Sequence, residues 1–453
     1  MARLILRLNL PEAISLSLAV VSPTVTAAFN ITLVVQAAGP AAPLTFAIGT
    51  VAMTLVALSF MSFTHRVAHA GSAYAYIAHT FGTRMGFIAG WTLLLTYLGF
   101  ATGFAALVGS FTSAALTDIG FKPGPLWIVI GGASMLLAWW LAFRDMRLAS
   151  RLMLGLEAAA MIGILALCII ILQHVHPGLE RSVSSWRPAR DFGGWTGLGF
   201  GMVYSILCFA GFEGAATLGE ETINPRRNIP IALFGTVLGS GLFFIFVAYC
   251  EVIGFGPGGI RDLGASQAPL NDLALRYASP QLAIALDLAA ATSCFSGVLG
   301  GLAASGRILF ALGRGGLSST LADVHPQHGT PAPAVSLAAI MIIVPFVLWA
   351  PIVGAGNFYS YVSTIGVLAL IVIYIGVGGA EVVEGLREQR WFWPAACALG
   401  PALLIWVLYR NIYPVPGFPN NLWPYATLAW VLASWAIIRF RPAVAGAPLP
   451  DYS

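Results

Sequence analysis

Apolar runs long enough to cross a lipid bilayer recur along almost the whole chain, and they limit the fold more than any other feature. A spanning helix needs about 20 apolar residues. Runs of that size fall at 12–37, 43–64, 86–116, 125–143, 150–172, 195–219, 229–255, 281–313, 333–352, 357–381, 391–410 and 422–438, which predicts twelve transmembrane helices. The two longest, 86–116 and 281–313, leave room for tilt or a re-entrant turn. Only helices and closed barrels satisfy backbone polar groups in hydrocarbon, and runs of this length are helical. The expected fold class is therefore an all-α polytopic membrane protein.

Composition decides whether a soluble reading survives. Charged residues are 9% of the chain and hydrophobic ones 58%, against about 25% charged in ordinary soluble domains. The net charge of +4 is spread along the sequence, with no basic block for nucleic acid. Cys168, Cys208, Cys250, Cys294 and Cys397 are isolated from one another, so neither a metal site nor a disulfide framework is expected. No cleavable leader is evident before the first run. Placing the N-terminus inside assigns 15 of the 22 Lys and Arg residues to the cytoplasmic face and 7 to the other. Positive charge is retained on the cytoplasmic side, so both termini are expected there, in the cell's inner membrane.

Two spans are interrupted. In span 6, Glu213 stands between Gly211 and Gly214 within an apolar stretch, and the polar run Asn224-Pro225-Arg226-Arg227-Asn228-Ile229-Pro230 follows. An intramembrane acid is costly, and flanking glycines weaken the helix that carries it. In span 1, Ser22-Pro23-Thr24-Val25-Thr26 breaks an otherwise apolar helix, because Pro23 lacks an N–H and crowds the preceding turn. First and sixth are equivalent positions in two five-helix halves, as an inverted repeat of a secondary transporter requires. The expected organisation is a ten-helix core over 1–390, with halves near 12–172 and 195–385. Two peripheral helices at 391–438 and a short tail at 439–453 complete it.

Three stretches carry a family resemblance. His69-Ala70-Gly71-Ser72-Ala73-Tyr74-Ala75-Tyr76, followed by Phe81-Gly82 and Gly90-Trp91, is the first. Phe209 to Pro230 is the second. Ser305-Gly306-Arg307, Ala311 to Leu317 and Val324-His325-Pro326-Gln327-His328-Gly329-Thr330-Pro331 form the third. In order and spacing they resemble the amino acid–polyamine–organocation transporters. The resemblance implies a LeuT-type fold with broken helices 1 and 6, and a small amino acid or amine held between them. By position, Ser22, Pro23, Thr24, Val25 and Thr26 would contribute from helix 1, and Cys208, Phe209, Ala210, Gly211 and Phe212 from helix 6. Tyr97 on span 3 is an aromatic candidate. The chain departs from the family's Gly-Ser-Gly run at Thr24-Val25-Thr26, and from the aromatic caps of basic-amino-acid exchangers at Leu207 and Gly301.

The candidate coupling residues each have two readings. Glu213 is a gate or proton-coupling carboxyl, or a satisfied structural bridge. Glu157 on span 5 couples an ion, or pairs with an arginine near the cytoplasmic face. Ala289, Thr292 and Ser293 on span 8 resemble the sodium site of sodium-coupled relatives, or bond to their own helix. Asp287, Glu251 and Glu381 lie nearer span ends and read as solvated or interfacial. Glu220 and Glu221 with Arg226 and Arg227 read as a cytoplasmic cluster, and Asn357, Tyr359, Tyr361 and Ser363 as vestibule or belt residues.

The expected function is secondary active transport of an amino acid or related amine by alternating access, coupled to H⁺ or Na⁺, with exchange as the alternative and a transporter-like sensor behind it. No enzyme constellation of nucleophile, base and orienting group is present in the spans. No cofactor beyond a coupling ion, and no obligate protein partner, is expected; the lipid bilayer is the surrounding partner.

Overall fold

A computed structural model describes residue 10 and residues 21–66, 73–143, 147–176, 178, 185–213, 224–325, 330–389 and 392–441. The first half of span 1, Gly214, Glu220, Glu221, His69 to Ser72, Pro326 to Gly329 and the 442–453 tail lie outside them. The described chain is all helical, as the sequence requires.

The first span appears as a short helix α1 (Pro23–Val25), a π-helical turn Thr26–Asn30, and α2 (Ile31–Ala38). It is followed by α3 (Ala42–Arg66), α4 (Ala73–Phe81), α5 (Thr83–Asp118), α6 (Leu126–Phe143), α7 (Arg147–Val175) and α8 (Gly194–Leu207). The second half runs through α9 (Pro225–Phe255), α10 (Ile260–Ala265), α11 (Pro269–Tyr277), α12 (Pro280–Arg314), α13 (Ala332–Val353) and α14 (Ala355–Arg387). Helices α15 (Phe392–Arg410) and α16 (Trp423–Phe440) end the chain. Among the described residues, eight stretches are long and apolar enough to cross a membrane. One of them, Pro23–Thr64, holds two expected crossings joined by a tight turn at Gly39–Ala41. Helices α8, α15 and α16 account for the remaining three expected spans. Helices α5 and α12, of 36 and 35 residues, are continuous. At 1.5 Å per residue each is longer than the hydrocarbon core, so tilt and overhang replace the re-entrant turn.

Close approach between helices is made by small residues rather than by a hydrophobic drive, which lipid does not supply. A Cβ on Gly109 of α5 would come within 2.0 Å of the Trp127 carbonyl oxygen in α6, and one on Gly131 within 2.7 Å of the Ala105 oxygen. Backbone cannot yield as a side chain can. Gly109→Ala is therefore expected to lower the unfolding free energy by about 3 kcal/mol. Thermal unfolding of the purified variant in detergent checks this, and an unchanged midpoint would contradict the packing.

Polar ties hold the outer helices to the bundle. Trp91 and Trp430 each donate the indole N–H to the other's carbonyl, at 3.1 and 2.8 Å, and their rings stack. Helices α10 and α11 form a cover between the expected spans 7 and 8. Gln36 donates to Gly264 O at 2.6 Å, and Tyr277 donates to Gly254 O at 2.7 Å. The amide of Asn271 donates to Asp118 and to Asp287, at 2.6 and 2.7 Å.

That cover corrects one expectation. Asp287, Glu251 and Glu381 are buried, at 2%, 1% and 0% exposure, not solvated. Asp287 lies under α11. Glu381 accepts from Ser62 Oγ at 2.7 Å because α14 continues well past it against α3. Both oxygens of Glu251 are buried without a hydrogen-bond partner among the described residues.

Candidate substrate site at the two helix breaks

The first break begins at Ser22, whose backbone is left-handed (φ 51°, ψ 66°) and leads into Pro23 at the first helical position. Proline fits there because that position's N–H has no intrahelical partner in any case. The π turn that follows widens the helix over Thr26–Asn30, as such turns often do at functional sites. The Thr24 N–H donates to Glu157 Oε1 at 2.8 Å across 133 residues of sequence. The Thr24 and Ser293 side chains flank the same carboxyl. The hydroxyls of Thr24, Thr26, Ser293 and Ser363 are all buried with no conventional partner among the described residues.

The second break begins where α8 ends at Leu207. Cys208 to Gly211 run as successive turns, Gly211 sits at φ 100°, and one short turn carries the chain to Glu213. Only glycine takes that φ without strain. Glu213 folds back onto the break: its Oε2 accepts the Gly211 N–H at 3.1 Å and the Tyr374 hydroxyl at 2.8 Å. Tyr97 is close enough to feel the same carboxyl. The Cys208 thiol donates to Tyr204 O at 3.1 Å and lies beside Thr26 and Asn30 of the first break.

Aromatic rings close both approaches. Towards the Arg66 end of α3, Phe60 meets Phe212, Tyr76 and Tyr374 edge-on, at centroid distances of 5.4, 5.8 and 5.8 Å. Towards the Gly39 end, Tyr359 is packed by Phe29 at 5.5 Å and Phe104 at 5.7 Å, and donates to Asn30 Oδ1 at 2.7 Å. Residues Thr24, Thr26, Cys208 and Phe209 are 0–1% exposed, so this conformation closes the breaks to solvent. A surface cleft of about 340 Å³ beside Pro40, Asp191 and Arg261 is separate from them.

The structure thus gathers Thr24, Thr26, Cys208, Gly211, Glu213, Tyr97, Glu157 and Ser293 around the two breaks. Ser22 and Pro23 shape the first break, while Val25, Phe209 and Phe212 are buried packing around it and Ala210 is half-buried. Glu157 accepts the Thr24 backbone amide that the break leaves free, while the arginine side chains near it in sequence, Arg147 and Arg151, lie outside what the structure describes. Thr292 is turned outward and donates to Leu288 O at 2.8 Å, so the Ala289, Thr292 and Ser293 set does not converge. Tyr359 and Ser363 face the breaks, while Asn357 is exposed. Asn30 and Tyr374 are site residues that sequence reasoning misses. A lone polar residue inside an apolar span is the available signal for both.

A family profile described as amino acid permease matches residues 8–436. The chain belongs to the amino acid permease family. This permease is 27% identical over 361 residues to the branched-chain amino acid permease BcaP of Lactococcus lactis subsp. cremoris (strain MG1363), covering 74% of this chain and 75% of that one. It is 27% identical over 299 residues to the low-affinity putrescine importer PlaP of Escherichia coli (strain K12), covering 64% and 63%. A solved mutant manganese transporter of Eremococcus coleocola superposes with a TM-score of 0.59 at 11% identity, over 96% of the permease and 95% of that chain. That likeness is one of fold. The permease is an integral, multi-pass membrane transporter and not an enzyme.

Proposed function

We propose that the permease moves an amino acid or a closely related amine by alternating access, driven by an ion gradient, across the cytoplasmic membrane with both termini inside. The observation that carries this reading is the meeting of two interrupted helices, each with a buried carboxyl folded onto its break. Interrupted helices at mid-membrane are built to hold a small polar solute, and rocking of one bundle against the other exposes it to each side in turn. The relatives named for branched-chain amino acids and for putrescine lie within the same solute range.

The coupling ion is the proton on this reading. Glu157 and Glu213 each sit on a break, whereas Thr292 is turned away from the oxygen cluster that sodium would need. Residues 1–390 are the transporting core, and α15 and α16 pack against α14, α3 and α5 as peripheral helices. Uptake into proteoliposomes, screened with radiolabelled amino acids and polyamines, tests the proposal. Accumulation under an inward pH gradient without sodium is the expected result. Accumulation that needs sodium alone would reject proton coupling, and movement that requires internal solute would indicate an exchanger.

A further inference from the structure

The backbone amides from Pro23 to Thr26 and from Cys208 to Phe212 are all accounted for. At the first break, Pro23 has no N–H, Thr24 donates to Glu157, and Val25 and Thr26 both donate back to Ser22 O, at 3.1 and 3.4 Å. At the second, Cys208 donates to Tyr204 O and Ser205 O, Phe209 to Ile206 O, Ala210 to Leu207 O and Phe212 to Phe209 O. The remaining amide, Gly211, is held by Glu213. A helix end binds an anion through N–H groups that lack a partner. Here the chain's own carboxyls take the two amides that backbone carbonyls leave free.

The unsatisfied groups are of the opposite kind. They are buried hydroxyls without a conventional partner among the described residues. Those of Thr24 and Ser293 flank Glu157, that of Thr26 lies beside Cys208, and that of Ser363 lies beside Tyr359, whose ring is packed by Phe29 and Phe104. Among the described residues, none of those gathered at the breaks is Lys, Arg or His. Hydroxyls can turn to donate, but the Thr24 amide that a solute's carboxylate would need is already taken by Glu157. An ammonium group brings three donors and no acceptor, and is attracted both to carboxylates and to aromatic faces.

We infer that the preferred solute is an organic amine without a carboxylate, and that Glu157, seated on the Thr24 amide, is the residue that discriminates against amino acids. This solute class narrows the proposed transport function and rests on it. The full-length protein in proteoliposomes is offered the standard amino acids and their decarboxylated counterparts, each radiolabelled, such as valine with isobutylamine and ornithine with putrescine. In the best-transported pair the amine is expected to enter at least tenfold faster than its amino acid. In Glu157→Ala, which frees the Thr24 amide, that ratio is expected to fall at least tenfold. Glu157→Gln keeps an acceptor there and retains most of the discrimination.

Equal entry, or faster entry of the amino acid, would overturn the inference and leave the transport function standing. No entry of any compound would overturn both. A wild-type preference for the amine that persists unchanged in a folded Glu157→Ala protein would overturn the role of Glu157. Should that variant fail to fold, the wild-type pairs still decide the solute class.

Discussion

Glu213→Ala is expected to reduce uptake at least roughly thirtyfold for any solute. The carboxyl accepts from the Gly211 N–H at 3.1 Å and the Tyr374 hydroxyl at 2.8 Å, and it is 7% exposed. Removing it leaves two donors in a water-poor interior, each costing about 1–3 kcal/mol. Together that is about 2–6 kcal/mol, and 1.4 kcal/mol is a tenfold change in an equilibrium. The loss falls on the closed conformation, so the cycle loses a state it must visit. Glu213→Gln separates structure from proton coupling, because its amide oxygen still accepts both hydrogen bonds. It should fold with a thermal midpoint near that of the native protein. If Glu213 carries the coupling proton, Glu213→Gln still loses gradient-driven accumulation. Measuring initial uptake and thermal unfolding on both variants checks this, and full uptake by Glu213→Ala would show that the carboxyl has no part in transport.

Gly211→Ala is the second large effect. Its φ of 100° lies where an L-residue is strained, and holding such a residue there costs about 1–3 kcal/mol. The strain falls on the amide that Glu213 holds, so relaxation would turn that N–H away and reopen helix 6. Uptake is expected to fall roughly five- to a hundredfold on that cost. Gly132→Ala on α6 serves as the control, since a Cβ there meets nothing within 4 Å. It is expected to leave uptake and thermal midpoint unchanged. Equal behaviour of the two variants would show that the Gly211 conformation carries no function.

The breaks are legible in sequence because they violate a strong rule: Pro23 and Glu213 have no place in an uninterrupted apolar helix. The spans are legible because about 20 apolar residues in a row match the thickness of a bilayer's hydrocarbon core. Partners across the bundle are not. Proximity in sequence does not reveal that Glu157 accepts the Thr24 amide, 133 residues away. Helical period alone does not say that Ser293 faces the break while Thr292 turns to its own backbone. Distance to span ends places Asp287 and Glu381 near solvent, which ignores the cover made by α10 and α11 and the overhang of α14. Asn30 and Tyr374 have polar tips within apolar runs, and only the packed structure shows those tips meeting Tyr359 and Glu213.

On the proposed function, solute is held in the space between the two breaks, and that space opens to each side in turn. Cys208 reports on it directly, being 1% exposed at the second break and beside Thr26 and Asn30 of the first. In a protein whose other four cysteines are replaced by serine, Cys208 is labelled with a membrane-impermeant maleimide applied to either face of proteoliposomes. Labelling from both faces during transport is expected, with at least fivefold protection by saturating solute. A transporting protein whose Cys208 is labelled from neither face, or at a rate that solute does not change, would contradict alternating access at the breaks.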